Sequence, residues 1–208
     1  MSKIYIQGTF GAYSHLAALK IDPNAEVIPC KTFDECFKKT SLENNSRMVI
    51  PESNRITGNI GIEYLIFKHR LNIYAEHFQK IEHNLLGQPG TNLSDIKDVF
   101  SHTQGLSQCS NFIKKNGLVE HIRADTAGSA EAISKKKVKS EAAIASSLSA
   151  KIYKLKILAP NIENEKGNVT RFLIMGKEVF QPEFEDKRYI TSFLFKLKSK
   201  PAALYQSL

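Results

Sequence analysis

The chain has 208 residues, 42% apolar, 24% charged and 9% aromatic, with a formal charge of +8 from 29 basic and 21 acidic side chains. That composition excludes a disordered chain, and there is no run of about 18 apolar residues to cross a bilayer as a helix. The N-terminus enters a strand-like pattern at once, without the basic and apolar regions of a secretion signal, so the expectation is a folded cytoplasmic protein with no membrane partner.

Short β-branched runs at 4–7, 27–29 and 48–51 alternate with helical-period segments at 14–20, 33–42 and 60–67, a βαβ rhythm. In the second of these helices Phe33, Cys36 and Phe37 fall on one face with the lysines opposite, which predicts packing onto a sheet. After a long stretch at 71–86 a second series begins: strand 99–101, helix 105–115, strand 121–124, helix 129–133, strand 142–145 and helix 147–153. Two α/β lobes are the predicted fold class. Between the two series, Gln88-Pro89-Gly90-Thr91-Asn92 reads as a turn, too short to establish a domain boundary.

The basic run Lys135-Lys136-Lys137-Val138-Lys139 has no aromatic residue to stack on bases and abuts a helix. It reads as a solvated helix end, and no nucleic-acid partner is expected. After strand 171–175, the polar segment 176–188 holds Pro182 and reads as a linker. Residues 189–197 read as a further strand, and Pro201 stands where a helix would begin. One strand and one helical turn cannot fold alone, so this tail is expected to open a domain whose remainder is missing.

Three segments place polar groups where chemistry could occur. The turn Gly8-Thr9-Phe10-Gly11-Ala12-Tyr13-Ser14-His15 follows a strand and opens a helix, either as an anion site on free N–H groups or as an ordinary helix start capped by Ser14. Ser101-His102-Thr103-Gln104 ends a strand where open α/β sheets place ligand crevices, with Gln108 one turn further on; the alternative is a Thr103 or Ser101 cap with glutamines in solvent. In Asn168-Val169-Thr170-Arg171-Phe172, strand alternation puts Thr170 and Phe172 on one face and Arg171 on the other. The six histidines form no HxxxH or HExxH pair and the three cysteines no CxxC, so no metal and no disulfide framework is implied. Glu82-His83 reads as a surface or satisfied strand pair.

Taken in order, these segments resemble the prephenate dehydratase family. Gly8 through His15 is similar to its opening G-x-x-G turn, and Ile50-Pro51 with Asn54 and Gly58 to its P-[IV]-E-N-[ST]-x-x-G loop. Ser101-His102-Thr103-Gln104 with Gln108-Cys109 resembles S-H-P-Q-x-x-x-Q-C, and Asp125-Thr126-Ala127 with Ala130 resembles S-T-A-x-A. Residues 142–146 resemble A-A-I-[AG]-[SN], and Asn168-x-Thr170-Arg171-Phe172 the N-x-T-R-F signature.

The resemblance implies two α/β lobes joined by two crossovers, like those of periplasmic binding proteins, with substrate in the cleft. Its boundaries are a catalytic domain at 1–178 (lobe one about 1–79 plus 160–178, lobe two about 80–159), a linker at 179–188 and an ACT-domain fragment at 189–208. The implied reaction is dehydration and decarboxylation of prephenate to phenylpyruvate, in phenylalanine biosynthesis, with no metal or organic cofactor. By likeness, Thr170 donates to the departing hydroxyl and Arg171 holds a carboxylate or braces the site. Asn54, Ser101, Gln108, Ser14, Thr126 and Phe172 line the substrate. ACT domains help many such enzymes to dimerise, so a homodimer belongs to the same expectation; its absence would leave Ile190, Phe193 and Phe195 without partners.

The chain departs from the pattern where the loop glutamate falls on Ser53 and its Ser/Thr on Arg55, so that the acid is lost or shifted to Glu52. Thr103 replaces the usual proline and Gly105 a common alanine, which loosens the helix start. Two other readings are arogenate dehydratase, with the same chemistry on the amino-acid analogue, and a non-catalytic two-lobed anion binder.

Overall fold

The computed structural model describes residues 2–179, 197 and 199–206. The expected linker at 179–188 and strand at 189–197 lie outside these residues except for Val179 and Leu197, so that strand of the ACT fragment is not described. At 199–206 the chain forms hydrogen-bonded turns, Ala203 N to Lys200 O and Gln206 N to Ala202 O, in place of the expected helix.

Two sheets make the fold. In the first, β1 (Lys3–Gln7) lies between β2 (Glu26–Cys30) and β3 (Ser46–Asn54), all parallel. The sheet continues through β11 (Val169–Gly176) to β5 (Asn72–Lys80), with β11 antiparallel to both neighbours and the two-residue β4 (Gly58–Asn59) folded back on β3. The second sheet runs β10 (Lys156–Ala159), β6 (Asn84–Gly87), β9 (Glu141–Ala145), β7 (Asp98–Ser101), β8 (Val119–Ile122), with β7 parallel to β8 and β9. The chain crosses between the sheets twice, at 81–83 and at 160–168.

Each face of each sheet buries its own apolar cluster. Helix α1 (Tyr13–Ile21) covers Ile4, Ile6, Val49, Phe172 and Ile174 with Ala17 and Ala18, while α2 (Phe33–Leu42) brings Cys36 and Phe37 against Tyr5, Met48, Ile50 and Leu173. Thr32 caps α2 by accepting from Glu35 N at 3.1 Å. The second sheet is covered on one side by α4 (Thr103–Gln108) and α5 (Ser110–Lys115), through Leu106, Cys109 and Ile113. On the other side stand α6 (Thr126–Lys136) and α7 (Ser147–Ile152), through Ala130, Ile133 and Ala150. Each fully buried Ile or Leu contributes about 1.5–3 kcal/mol. All three cysteines are free and buried.

Several elements differ from expectation. The helix expected at 60–67 is α3 (Glu63–His69), because Gly58–Asn59 pair with β3 first. The single helix expected at 105–115 breaks at Cys109. There the second crossover intervenes: Asn164 N donates to Gln108 O at 2.6 Å, and Asn164 Nδ2 to Ser107 O and Ser110 Oγ. A polar group that takes up helix carbonyls in this way kinks the helix. The helix expected at 129–133 starts earlier, at Thr126, because the Asp125 carboxylate caps it from Gly128 N at 2.6 Å. Its basic end is a solvated helix end as read, with Lys135 on Glu131 and Lys136 on Glu141.

Candidate active site between the two sheets

The turn after β1 meets the segments after β8 and β9, through Thr9 with Asp125 and Gly11 with Ser146 and Ser149, and polar residues gather near it. Asn54 ends β3 and pairs with Thr170 at the start of β11. Its Oδ1 accepts from Ile56 N and Thr57 N at 3.0 and 3.1 Å, which fixes the amide so that Nδ2 donates to Thr170 Oγ1 at 2.8 Å. Thr170 is 7% exposed, and its own hydroxyl proton has no acceptor among the described residues. A hydroxyl both accepts and donates, so this one is oriented by Asn54 and still has a proton to give.

Two residues earlier Asn168, 2% exposed, donates from Nδ2 to Gln108 Oε1 at 3.1 Å, while its Oδ1 is buried with no partner. Gln108 comes from the other sheet's α4. Its Oε1 also lies 2.9 Å from His83 Nε2, and an amide oxygen can only accept, so Nε2 carries a proton. His83 Nδ1 lies 3.0 Å from the Tyr13 hydroxyl, which donates to Glu82 O at 2.8 Å. One chain of contacts thus joins α1, both crossovers and α4. Burial pulls the His83 imidazole below its ordinary value, against the raising effects of Gln108 and Glu163. Burial pushes Glu163 up, yet backbone N–H groups including that of His83, together with Lys166, outweigh it and hold the carboxyl low.

The sequence-predicted residues divide. Asn54 and Thr170 are hydrogen-bonded to each other, and Gln108 is bonded to Asn168, two residues before Thr170. Arg171 points to the opposite face of β11, where Nε donates to Glu76 at 2.7 Å and Nη1 to Glu52 at 3.3 Å. Of its two expected roles, bracing fits that position and direct contact with a carboxylate ligand does not. Glu52 reaches Arg171 because β3 bulges there: Arg171 pairs with Ser53 and Phe172 with Pro51, leaving Glu52 unpaired in the ladder.

Phe172 does not line the cleft, since it is 1% exposed and packed among Ile4, Ile6 and Val49. Nor does Ser101, which is fully buried and donates to Ile144 O at 2.7 Å, tying β7 to β9. At Gly105 a Cβ would lie 2.7 Å from Ser101 Oγ, so the missing methyl also leaves room for that hydroxyl. Thr126 packs its methyl beside the same glycine. The α4 cap is His102, through Nδ1 and Gln104 N, and Thr103 and Gln104 are exposed.

The glycine turn after β1 is a clasp. Gly8 N donates to Cys30 O and Gly11 N to His15 Nδ1, so these amides are not free for an anion. Gly11 O accepts from Ser146 Oγ and Ser149 Oγ at 2.6 and 3.0 Å, Phe10 O from the Tyr153 hydroxyl, and Thr9 Oγ1 donates to Asp125. Ser14 is buried within α1, whose cap position is Ala12, so it is not the expected cap. His83 was not legible as a site residue. Its only signal is the Glu82-His83 pair, which reads as a surface or satisfied strand pair. Among the described residues no group of His, Cys, Asp and Glu could hold a metal, and no helix is long and apolar enough to cross a membrane.

Comparison with known proteins identifies the family. The family model described as prephenate dehydratase matches residues 4–179. The chain is 40% identical over 207 residues to arogenate dehydratase 2 of Petunia hybrida, covering 99% of this chain and 52% of that protein. It is 41% identical over 207 residues to the chloroplastic arogenate dehydratase/prephenate dehydratase 1 of Arabidopsis thaliana, covering 99% and 53%. The chain therefore spans about half the length of these relatives. Among solved structures, one titled GqqA, a novel type of quorum quenching acylases, superposes with a TM-score of 0.83 at 30% identity, covering 99% of this chain and 75% of that one.

Proposed function

The chain belongs to the prephenate dehydratase family, and from that premise we propose that it catalyses the decarboxylating dehydration of prephenate to phenylpyruvate. The observation that carries this reading is the Thr170 hydroxyl, held by Asn54 and left with a proton to donate. In the reaction the ring carboxylate leaves as carbon dioxide and its bonding pair enters the ring. The C–O bond at the opposite carbon breaks, and the departing hydroxide takes a proton and leaves as water. Thr170 donates a hydrogen bond to that oxygen as charge develops on it, in a site where the bond is worth more than in water. Asn54 orients Thr170, Gln108 and Asn168 present amides from either side of the cleft, and Arg171 braces β11 from behind. Aromatisation supplies the driving force, and the protein's part is to bind an anion, exclude water and assist the leaving group.

The domain reading goes with it: a catalytic unit at 1–178, with lobes about 1–79 plus 160–178 and about 80–159, then a linker and the opening of an ACT domain. A cytoplasmic, homodimeric enzyme without nucleic-acid or membrane partners completes the proposal. The relatives' names also favour a second substrate, arogenate. The test is to incubate the purified chain with prephenate or arogenate near neutral pH and measure phenylpyruvate or phenylalanine. Formation of phenylpyruvate supports the reading, whereas binding without turnover would replace it with a two-lobed anion binder.

A further inference from the structure

The loop that follows Asn54 carries a cation with no carboxylate partner among the described residues. Arg55 follows Asn54 directly, and its backbone N–H donates to Val169 O at 2.9 Å, one residue before Thr170. Its guanidinium reaches across to the second crossover, where Nη1 donates to Gly167 O at 3.1 Å. Gly167 has φ +77°, and a Cβ there would sit 3.2 Å from Nη1, so the glycine provides the floor on which the guanidinium rests. That single contact leaves the other N–H donors of the fork open to solvent beside the cleft.

The neighbouring cations are differently placed. Lys166 is bound to Glu163 at 3.1 Å. Arg171 lies between Glu52 and Glu76, and one guanidinium shared by two carboxylates leaves a net negative charge behind the site. A doubly negative ligand would be repelled by that charge, and Arg55, on the residue after Asn54, offsets it. Among the described residues no carboxylate neutralises Arg55, which stands where the family's loop carries a small hydroxyl residue.

We infer that Arg55 is a specificity-determining residue that selects prephenate, a dianion with a 2-oxo side chain, over arogenate, whose ammonium group cancels one negative charge. The inference rests on the dehydratase reading of the site. It needs no contact with one particular carboxylate, because the two substrates differ by a full unit of charge. At a separation of about 5–8 Å in a partly solvated cleft, one unit of charge changes binding by roughly five- to tenfold.

The test compares the wild type with Arg55→Thr and Arg55→Lys on both substrates, at low salt and at about 0.5 M KCl, where the Debye length has fallen to a few ångströms. Arg55→Thr should raise KM for both anions with kcat retained, since it removes uniform binding, and raise it roughly five- to tenfold more for prephenate than for arogenate. Arg55→Lys should keep most of the preference, and salt should weaken prephenate binding in the wild type more than in Arg55→Thr. An unchanged ratio of kcat/KM for the two substrates in Arg55→Thr would overturn the inference. If the wild type turns over neither substrate, the dehydratase reading fails, and calorimetric titration with prephenate still decides the role of Arg55. A loss of affinity of at least roughly five- to tenfold in Arg55→Thr would support it; equal affinity, or no binding to either protein, would overturn it.

Discussion

Replacing Thr170 by valine keeps its shape and removes its hydroxyl. The wild-type oxygen accepts from Asn54 Nδ2 at 2.8 Å, and without it that N–H keeps only a long contact to Val169 O at 3.4 Å, beside a residue that is 7% exposed. Losing one hydrogen bond with its donor left largely unsatisfied costs about 1–2 kcal/mol. No cavity forms, so the fold should persist. The catalytic effect is larger, since a donor aimed at developing charge contributes about 10²–10³ in kcat. The expected outcome for Thr170→Val is thus a Tm lowered by a few degrees and phenylpyruvate formation reduced about 10²–10³-fold, with KM little changed. Thr170→Ser, which restores the hydroxyl, should recover most of the rate. Full kcat in Thr170→Val, measured by quenching in alkali and reading the enol, would refute the assignment of the proton to this residue.

Other outcomes follow from the same contacts. Gly11→Ala forces a side chain onto φ +91° with its Cβ 2.6 Å from Ser149 Oγ and 2.9 Å from Ser149 Cα. Strain and overlap together should cost about 3 kcal/mol, which thermal melts would record as a fall of roughly 6–12 °C. Arg171→Met leaves Glu52 and Glu76 facing each other; because all three are partly exposed, urea titration should show a loss of only about 1 kcal/mol. Its kcat should fall less than that of Thr170→Val, as expected of a brace. Phe172→Leu should lower stability by about 1–2 kcal/mol and leave KM unchanged; a large KM effect would return that ring to the substrate. His15 and His83 both have imidazoles pulled below 6.5 by burial. The unfolded chain then binds more protons, so their contribution is complete above about pH 6.5 and is lost as pH falls toward the folded-state values. Tm should decline from pH 7 to 5.5, and less steeply in His83→Gln.

What could be read from the sequence, and what could not, follows from the range of the forces. Alternation in β11 placed Thr170 and Arg171 on opposite faces, and helical periodicity placed Phe33, Cys36 and Phe37 against a sheet, because both are local consequences of backbone geometry. The break at Cys109 was invisible, since it is made by Asn164, which is more than fifty residues away and reaches α4 only once the second crossover has formed. Ser101 and the glycine turn looked like ligand sites because strand ends and free amides are where ligands bind. Their groups are instead taken by Ile144, His15, Ser146 and Ser149, partners that only tertiary structure supplies. His83 shows the converse: in sequence it is a histidine after a glutamate, and in the fold it bridges Tyr13 and Gln108.

These contacts support placing the proposed chemistry at the start of β11. Each crossover contributes one side chain to the Gln108 amide, His83 from the first and Asn168 from the second, so a single group on α4 registers both connections between the sheets. Thr170 lies two residues beyond that registered point, on the strand between β3 and β5, and its lateral position is set by Asn54. A hydroxyl on a loop would have several positions to choose from. This one is held along the chain by Asn168 and across the sheet by Asn54, which gives the positional certainty that a weak acid such as threonine needs to act on one leaving oxygen.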